Sequence, residues 1–136
     1  MTLGTRSGIR QREIVLIADD EPGLRLLVRS AIESPLYQVV EASDGDEAWN
    51  LIKSKRPAVV LLDITMSGRS GLEVLSAIRA DTSLRGTQVI ILSGGRDQRD
   101  IDAGLLAGAD VYVTKPFAPA DLLARVTEAI EHRVTW

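Results

Sequence analysis

Three consecutive carboxylates, Asp19, Asp20 and Glu21, follow directly on the apolar run 14–18. Side by side at neutral pH they repel one another, so a partner of opposite charge must offset them. Three other apolar runs end in reactive side chains: 59–63 in Asp63, 88–93 in Ser93, and 111–114 just before Lys115-Pro116. The chain has no cysteine and a single histidine, His132, so thiolate ligation, cysteine catalysis and a histidine-rich zinc site are not available. Clustered carboxylates without such partners are hard oxygen ligands, suited to Mg²⁺, or to Mn²⁺ in its place. Beside them, an ammonium and a hydroxyl supply a cation and a donor for a phosphoryl group. A carboxylate attacking phosphorus gives an acyl phosphate, and Asp63 is the candidate nucleophile.

That chemistry requires the four run ends to meet. Short β-branched runs alternate five times with stretches of helical period: 14–18, 37–42, 59–63, 88–93 and 111–114 read as strands. The helices between them carry apolar stripes: Leu24, Leu27, Val28, Ala31 and Ile32; then Ala48, Leu51 and Ile52; then Leu72, Leu75 and Ile78; and last Leu122, Leu123, Val126 and Ile130. The fourth, near 96–106, is the weakest and is expected to be the most mobile, anchored by Ile101 and Leu105 and weakened by Gly104, which costs a helix about 1 kcal/mol against alanine. Ser70-Gly71-Leu72-Glu73 fits a capping box, and Pro119 suits the first turn of the last helix.

Nearly all-apolar strands alternating with helices imply a parallel sheet covered on both faces. The expected fold is α/β, five-stranded and doubly wound, flavodoxin-like in strand order 2-1-3-4-5 with five helices. In that order strands one and three are neighbours at the switch point, so Asp19, Asp20 and Asp63 converge on one crevice.

The 136 residues suffice for one domain, with 45% hydrophobic residues and a formal net charge of −3. No basic field suggests a grip on nucleic acid. No apolar run approaches the roughly 20 residues that span a bilayer, and residues 1–13 lack the apolar core of a signal peptide. The expected setting is the cytoplasm, with a flexible N-terminal arm over 1–12, the folded domain over 13–132 and a short tail over 133–136.

The stretches "LIADDEP", "LLDITMSGRSGLEVL", "VIILSGG" and "GADVYVTKPF" stand in the order and spacing of one family. The sequence resembles the receiver domain of two-component response regulators and is similar to the chemotaxis response regulator. The resemblance implies a signalling domain rather than an enzyme, with Asp63 accepting a phosphoryl group from the phosphohistidine of a histidine kinase or a phosphotransfer protein. It further implies that Asp20 ligates Mg²⁺ directly and Asp19 mostly through water, with Asp63 and the backbone carbonyl of Thr65 completing the protein ligands. Lys115 would pair with the phosphoryl oxygens, Ser93 would move toward them, and Tyr112 would turn inward with Ser93. The Lys115–Pro116 bond would be cis. Thr65 and Gly95 would flank the phosphoryl group and influence its loss.

The sequence departs from the family after Asp63. Ser67 stands where a proline is usual and Ser70 where an aspartate is usual, so a looser loop is expected there. Each assignment has a simpler competitor: Asp19 or Asp20 as a helix cap, Ser93 before Gly94-Gly95 as turn chemistry, Tyr112 as core cover, and Lys115, His132 and the charges of 97–102 as solvated surface. Glu21 is expected to cap or flank the first helix. Two other functions compete, a degenerate receiver that only binds partners and an aspartate-nucleophile phosphatase. The five side chains Asp19, Asp20, Asp63, Ser93 and Lys115 argue against the first, and the adjacency of Asp19 and Asp20, without a substrate cap, against the second. Residues 133–136 follow the last helix directly, which fits a stand-alone receiver or a segment of a longer regulator, and Met1 favours the former. Output is expected through the surface of the fourth helix, fifth strand and fifth helix, toward a downstream protein partner or a second copy.

Overall fold

The computed structural model of the chain describes residues 12–134. Residues 1–11 of the expected N-terminal arm and 135–136 of the expected tail therefore fall outside the described residues, and 133–134 belong to the last helix rather than to a tail. Five strands, β1 (Glu13–Ala18), β2 (Tyr37–Ala42), β3 (Val59–Asp63), β4 (Gln88–Ser93) and β5 (Val111–Thr114), alternate with five helices. These are α1 (Pro22–Ile32), α2 (Gly45–Lys55), α3 (Gly71–Ala80), α4 (Gln98–Leu106) and α5 (Pro119–Val134), with a 3₁₀ turn at Thr82–Leu84 after α3. The sheet is parallel throughout in the order β2-β1-β3-β4-β5, as the strand–helix alternation predicts. Among the described residues no helix is long and apolar enough to cross a membrane.

The sheet separates two cores. On one face Val15, Ile17, Val59, Leu61, Ile90 and Leu92 pack against Val28 and Ile32 of α1 and Leu122, Val126 and Ile130 of α5. On the other, Leu16, Val60, Leu62, Val89 and Ile91 meet Ala48 and Ile52 of α2 and Val74, Leu75 and Ile78 of α3. Burial on both faces explains why β3 reads as an unbroken apolar run. Some of the expected inward stripe faces solvent instead: Leu27 is 46% exposed, Leu105 43% and Leu123 37%. Each sits at the margin of its stripe, where a neighbouring position already fills the contact with the sheet.

Register brings the strand ends together in a staircase. Ala18 pairs with Leu62, so Asp19 lies beside Asp63, and Asp63 in turn pairs with Leu92, one residue before Ser93. Ser93 pairs with Thr114, one residue before Lys115, whose amide donates to the Ser93 carbonyl at 2.7 Å. The Lys115–Pro116 peptide is cis, as the resemblance implies.

Candidate functional site

Asp19, Asp20 and Asp63 offer carboxylate oxygens that all lie within 4.8 Å of one another. Asp19 and Asp63 are buried while Asp20 reaches solvent, so the cluster is closed on the protein side and open outward. The Lys115 ammonium stands among them, 3.0 Å from Asp19 Oδ2 and 3.5 Å from Asp63 Oδ1. One ammonium facing three carboxylates leaves uncompensated negative charge, and an all-oxygen donor set fits a hard divalent cation.

Burial raises the Asp63 carboxyl above the ordinary aspartate range, and the charge of Asp19 adds to this; Lys115 and the Thr65 amide, which donates to Oδ1 at 3.2 Å, oppose it. Burial pulls the Lys115 ammonium down. Its hydrogen bond to Asp19 and the charges of Asp63 and Asp19 outweigh that and leave it above the usual lysine value. Lys115 is thus a fixed cation at the mouth of the site rather than a proton carrier.

Ser93 is buried, and its hydroxyl accepts the Gly95 amide at 3.1 Å, so it carries the turn after β4 as well as standing at the site. The turn chemistry weighed for Ser93 in the sequence is thus present. Thr65 is exposed beside Asp63. Tyr112 is half-buried, and its hydroxyl donates to the Gly95 carbonyl at 2.9 Å, joining β5 to that same turn. Glu21 occupies the N-cap position of α1 with no side-chain capping bond; Asp19 Oδ1 accepts the Glu21 amide at 2.9 Å instead. Asp97 is exposed, as expected, and also caps α4 by accepting the Asp100 amide at 3.2 Å. His132 is exposed on α5.

The loop after β3 is tied where looseness is expected. The Gly45 amide donates to the Ser67 carbonyl at 3.1 Å, and Arg69 pairs with Asp46 at 3.2 Å. Gly68 takes a left-handed φ of 72° that a side chain would resist, directly against Asp46. At the loop's end Ser70 and Glu73 form the expected capping box, with bonds of 3.2 and 2.8 Å. The loop that lacks the usual proline is thus in contact with the start of α2.

Two glycines shape the site in ways their local sequence does not announce. Gly71 opens α3 so close to the end of β3 that a Cβ would overlap the Asp63 carbonyl oxygen and lie 2.7 Å from Ile64 Cα. Gly104 is the buried residue of α4, and a Cβ there would lie 2.8 Å from Ile91 Cδ1 and 2.9 Å from Tyr112 Cδ2. The glycine that weakens the helix thereby makes room for the tyrosine ring. Gly104→Ala is expected to gain about 1 kcal/mol of helix propensity yet lose more through overpacking, for a net cost of about 1 kcal/mol and a displaced Tyr112 ring. Chemical denaturation together with Tyr112 ring resonances checks this; greater stability with unmoved resonances would contradict it.

An open acidic crevice, with two buried carboxylates and a lysine among them at the strand ends of a 2-1-3-4-5 parallel sheet, is the arrangement of a receiver-like signalling domain. A family model of the response regulator receiver domain matches residues 15–127, and the chain belongs to that family. It is 35% identical over 115 residues to the DNA-binding response regulator MtrA of Mycolicibacterium smegmatis, covering 85% of this chain and 49% of the relative. It is 34% identical over 121 residues to the phosphate regulon transcriptional regulatory protein PhoB of Escherichia coli strain K12, covering 89% and 52%. The chain thus spans about half the length of these curated relatives. The receiver domain of Francisella response regulator 1452 superposes with a TM-score of 0.83 at 30% identity, over 89% of this chain and 98% of that one. Receiver domains are signalling domains that bind Mg²⁺ at an acidic site, and the Asp19–Asp20–Asp63 cluster fits such an ion.

Proposed function

We propose that this domain receives a phosphoryl group on Asp63 from the phosphohistidine of a histidine kinase or phosphotransfer protein in the cytoplasm, and passes the change to a protein partner or a second copy. The observation that supports this most is the placement of Lys115 between Asp19 and Asp63, at 3.0 and 3.5 Å, beside an open carboxylate cluster.

Asp19, Asp20 and Asp63, with the Thr65 carbonyl, would hold Mg²⁺ or Mn²⁺. When bound, that ion neutralises charge on the phosphoryl oxygens. An Asp63 carboxylate oxygen attacks phosphorus, the P–O bond forms, the P–N bond to imidazole breaks, and the departing nitrogen keeps the electron pair. Lys115 exchanges its contact with the Asp63 carboxylate for one with the incoming phosphoryl oxygens, and Ser93 supplies a hydroxyl donor from the adjoining strand. Incubation with acetyl phosphate, followed by intact mass spectrometry, tests this. One phosphate is expected with Mg²⁺ present and none when a chelator removes it; equal gain in both conditions would contradict it.

The route outward runs from Ser93 through the Gly95 turn to Tyr112, and then to α4, β5 and α5. Beryllofluoride with Mg²⁺ is expected to change hydrogen exchange across residues 96–130 and to strengthen binding to the partner or second copy. Lys115→Ala should retain Mg²⁺ binding but lose most of that exchange response and the matching amide shifts near Ser93 and Tyr112. Changes confined to α1 and α2 would place the output elsewhere, and an undiminished response in Lys115→Ala would remove the lysine from the route.

A further inference from the structure

The two leading carboxylates are fixed very differently. Asp19 is held through its amide by the Ala42 carbonyl at 3.1 Å, through Oδ1 by the Glu21 amide at 2.9 Å and through Oδ2 by Lys115 at 3.0 Å. Asp20 is exposed, and its carboxylate stands where the backbone carries it. The peptide that carries it is the Asp19–Asp20 peptide, whose oxygen accepts Nη1 of Arg25 at 2.7 Å.

Arg25 is itself aimed. Its Nε donates to Glu41 Oε1 on β2 at 3.1 Å, while Glu41 Oε2 takes Nη1 of Arg29 at 2.6 Å. Arg29 also donates to the Val39 carbonyl at 3.3 Å. The Arg25 side chain is only 17% exposed, so this is no loose surface pair. The position calls for arginine, because a carbonyl and a carboxylate are gripped at once through separate N–H groups of one plane, which a lysine cannot reproduce.

We propose that Arg25, aimed by Glu41, is a positioning residue for the cation: it fixes the Asp19–Asp20 peptide and through it the Asp20 carboxylate. The inference rests on the reading of the acidic cluster as a Mg²⁺ site. Mg²⁺ demands near-ideal octahedral geometry, and outer partners that orient its ligands are typically worth 10–100-fold in affinity.

The sign of the effect separates positioning from charge. Removing a guanidinium bonded to the Asp19 carbonyl, at the edge of the carboxylate cluster, would by charge alone tighten Mg²⁺ binding. Positioning requires the reverse. Isothermal titration of the phosphate-free protein with Mg²⁺, well below the melting temperature, is expected to show about tenfold weaker binding in Arg25→Ala. Arg25→Lys, which keeps the charge and stem, should also bind more weakly, and it serves if the alanine variant does not fold. Arg29→Ala, which shortens the same network without touching the Asp19 carbonyl, should stay close to wild type. Wild-type or tighter binding in Arg25→Ala, wild-type binding in Arg25→Lys, or an equal loss in Arg29→Ala would overturn the proposal. Undiminished Mg²⁺ binding in Asp20→Asn would instead overturn the site reading beneath it, and the proposal with it.

Discussion

Asp63→Asn is expected to slow phosphorylation by acetyl phosphate about a thousandfold or more, while the metal-free protein melts a few degrees higher than wild type. The two effects have opposite signs because they draw on the same crowded charge. An amide oxygen is a poor nucleophile toward phosphorus, so the acceptor is lost although the shape remains. Stability moves the other way because burial and the Asp19 charge disfavour the ionised Asp63 carboxyl in the folded state and raise its pKa. A group raised on folding contributes stability that is fully present below its unfolded pKa and is lost as pH rises through the folded value. Metal-free wild type should therefore fall behind Asp63→Asn as pH climbs above the ordinary aspartate value of 3.8. Mg²⁺ should narrow the gap by stabilising wild type more than the variant. Thermal melts across pH in chelator, paired with single-turnover labelling, give both readings. A variant that labels at the wild-type rate, or melts lower at neutral pH, would contradict this.

Gly71→Ala is expected to cost about 3 kcal/mol, a large share of the 5–15 kcal/mol that ordinarily separates folded from unfolded domains. The added methyl meets backbone rather than a flexible side chain: the Asp63 carbonyl oxygen, Asp63 C at 2.9 Å and Ile64 Cα at 2.7 Å. Relief requires α3 to move away or the end of β3 to shift. Either breaks the Gly71 amide bond to the Ile64 carbonyl, now 2.9 Å. A shift of the backbone that carries the acceptor should also slow phosphorylation of the surviving folded protein by about a hundredfold, since a misplacement near 1 Å is worth that much. Gly23→Ala is the natural comparison, because nothing lies within 4 Å of its Cβ position in α1 and the helix should gain about 1 kcal/mol. Denaturant titration of both variants checks the contrast, and equal stability would contradict it.

The strands and the meeting of Asp19, Asp20, Asp63 and Lys115 were legible because burial on both faces leaves long β-branched runs, and because each run stops at a polar residue where the sheet ends. The expected bounds of β2, β3, β4 and β5 match the structure, and β1 begins one residue earlier, at Glu13. The capping box at Ser70 was legible for a related reason: its partners are local. What escaped depends on contacts between elements far apart in the chain. Gly71 looked like the residue after a cap, and its meeting with Asp63 exists only once α3 docks on β3. Gly104 looked like a helix defect, and its partner Tyr112 arrives from the next strand. The Arg25–Glu41–Arg29 network has no local signal in the sequence, because it exists only where α1 lies against β2. The loop after Asp63 seemed freed by Ser67, whereas its ties to Gly45 and Asp46 come from a different helix. The helix margins misled in the opposite direction, since Leu27, Leu105 and Leu123 fit the helical period but point past the edge of the sheet.

The phosphoryl group is expected on a single carboxylate, that of Asp63. Borohydride reduction of the acetyl phosphate-treated protein converts an aspartyl phosphate to homoserine, and peptide sequencing by mass spectrometry locates it. Homoserine at position 63, present with Mg²⁺ and absent from untreated protein, is the predicted result. Homoserine at position 19 or 20 in place of 63, or none at all from a protein that has gained a phosphate, would contradict it.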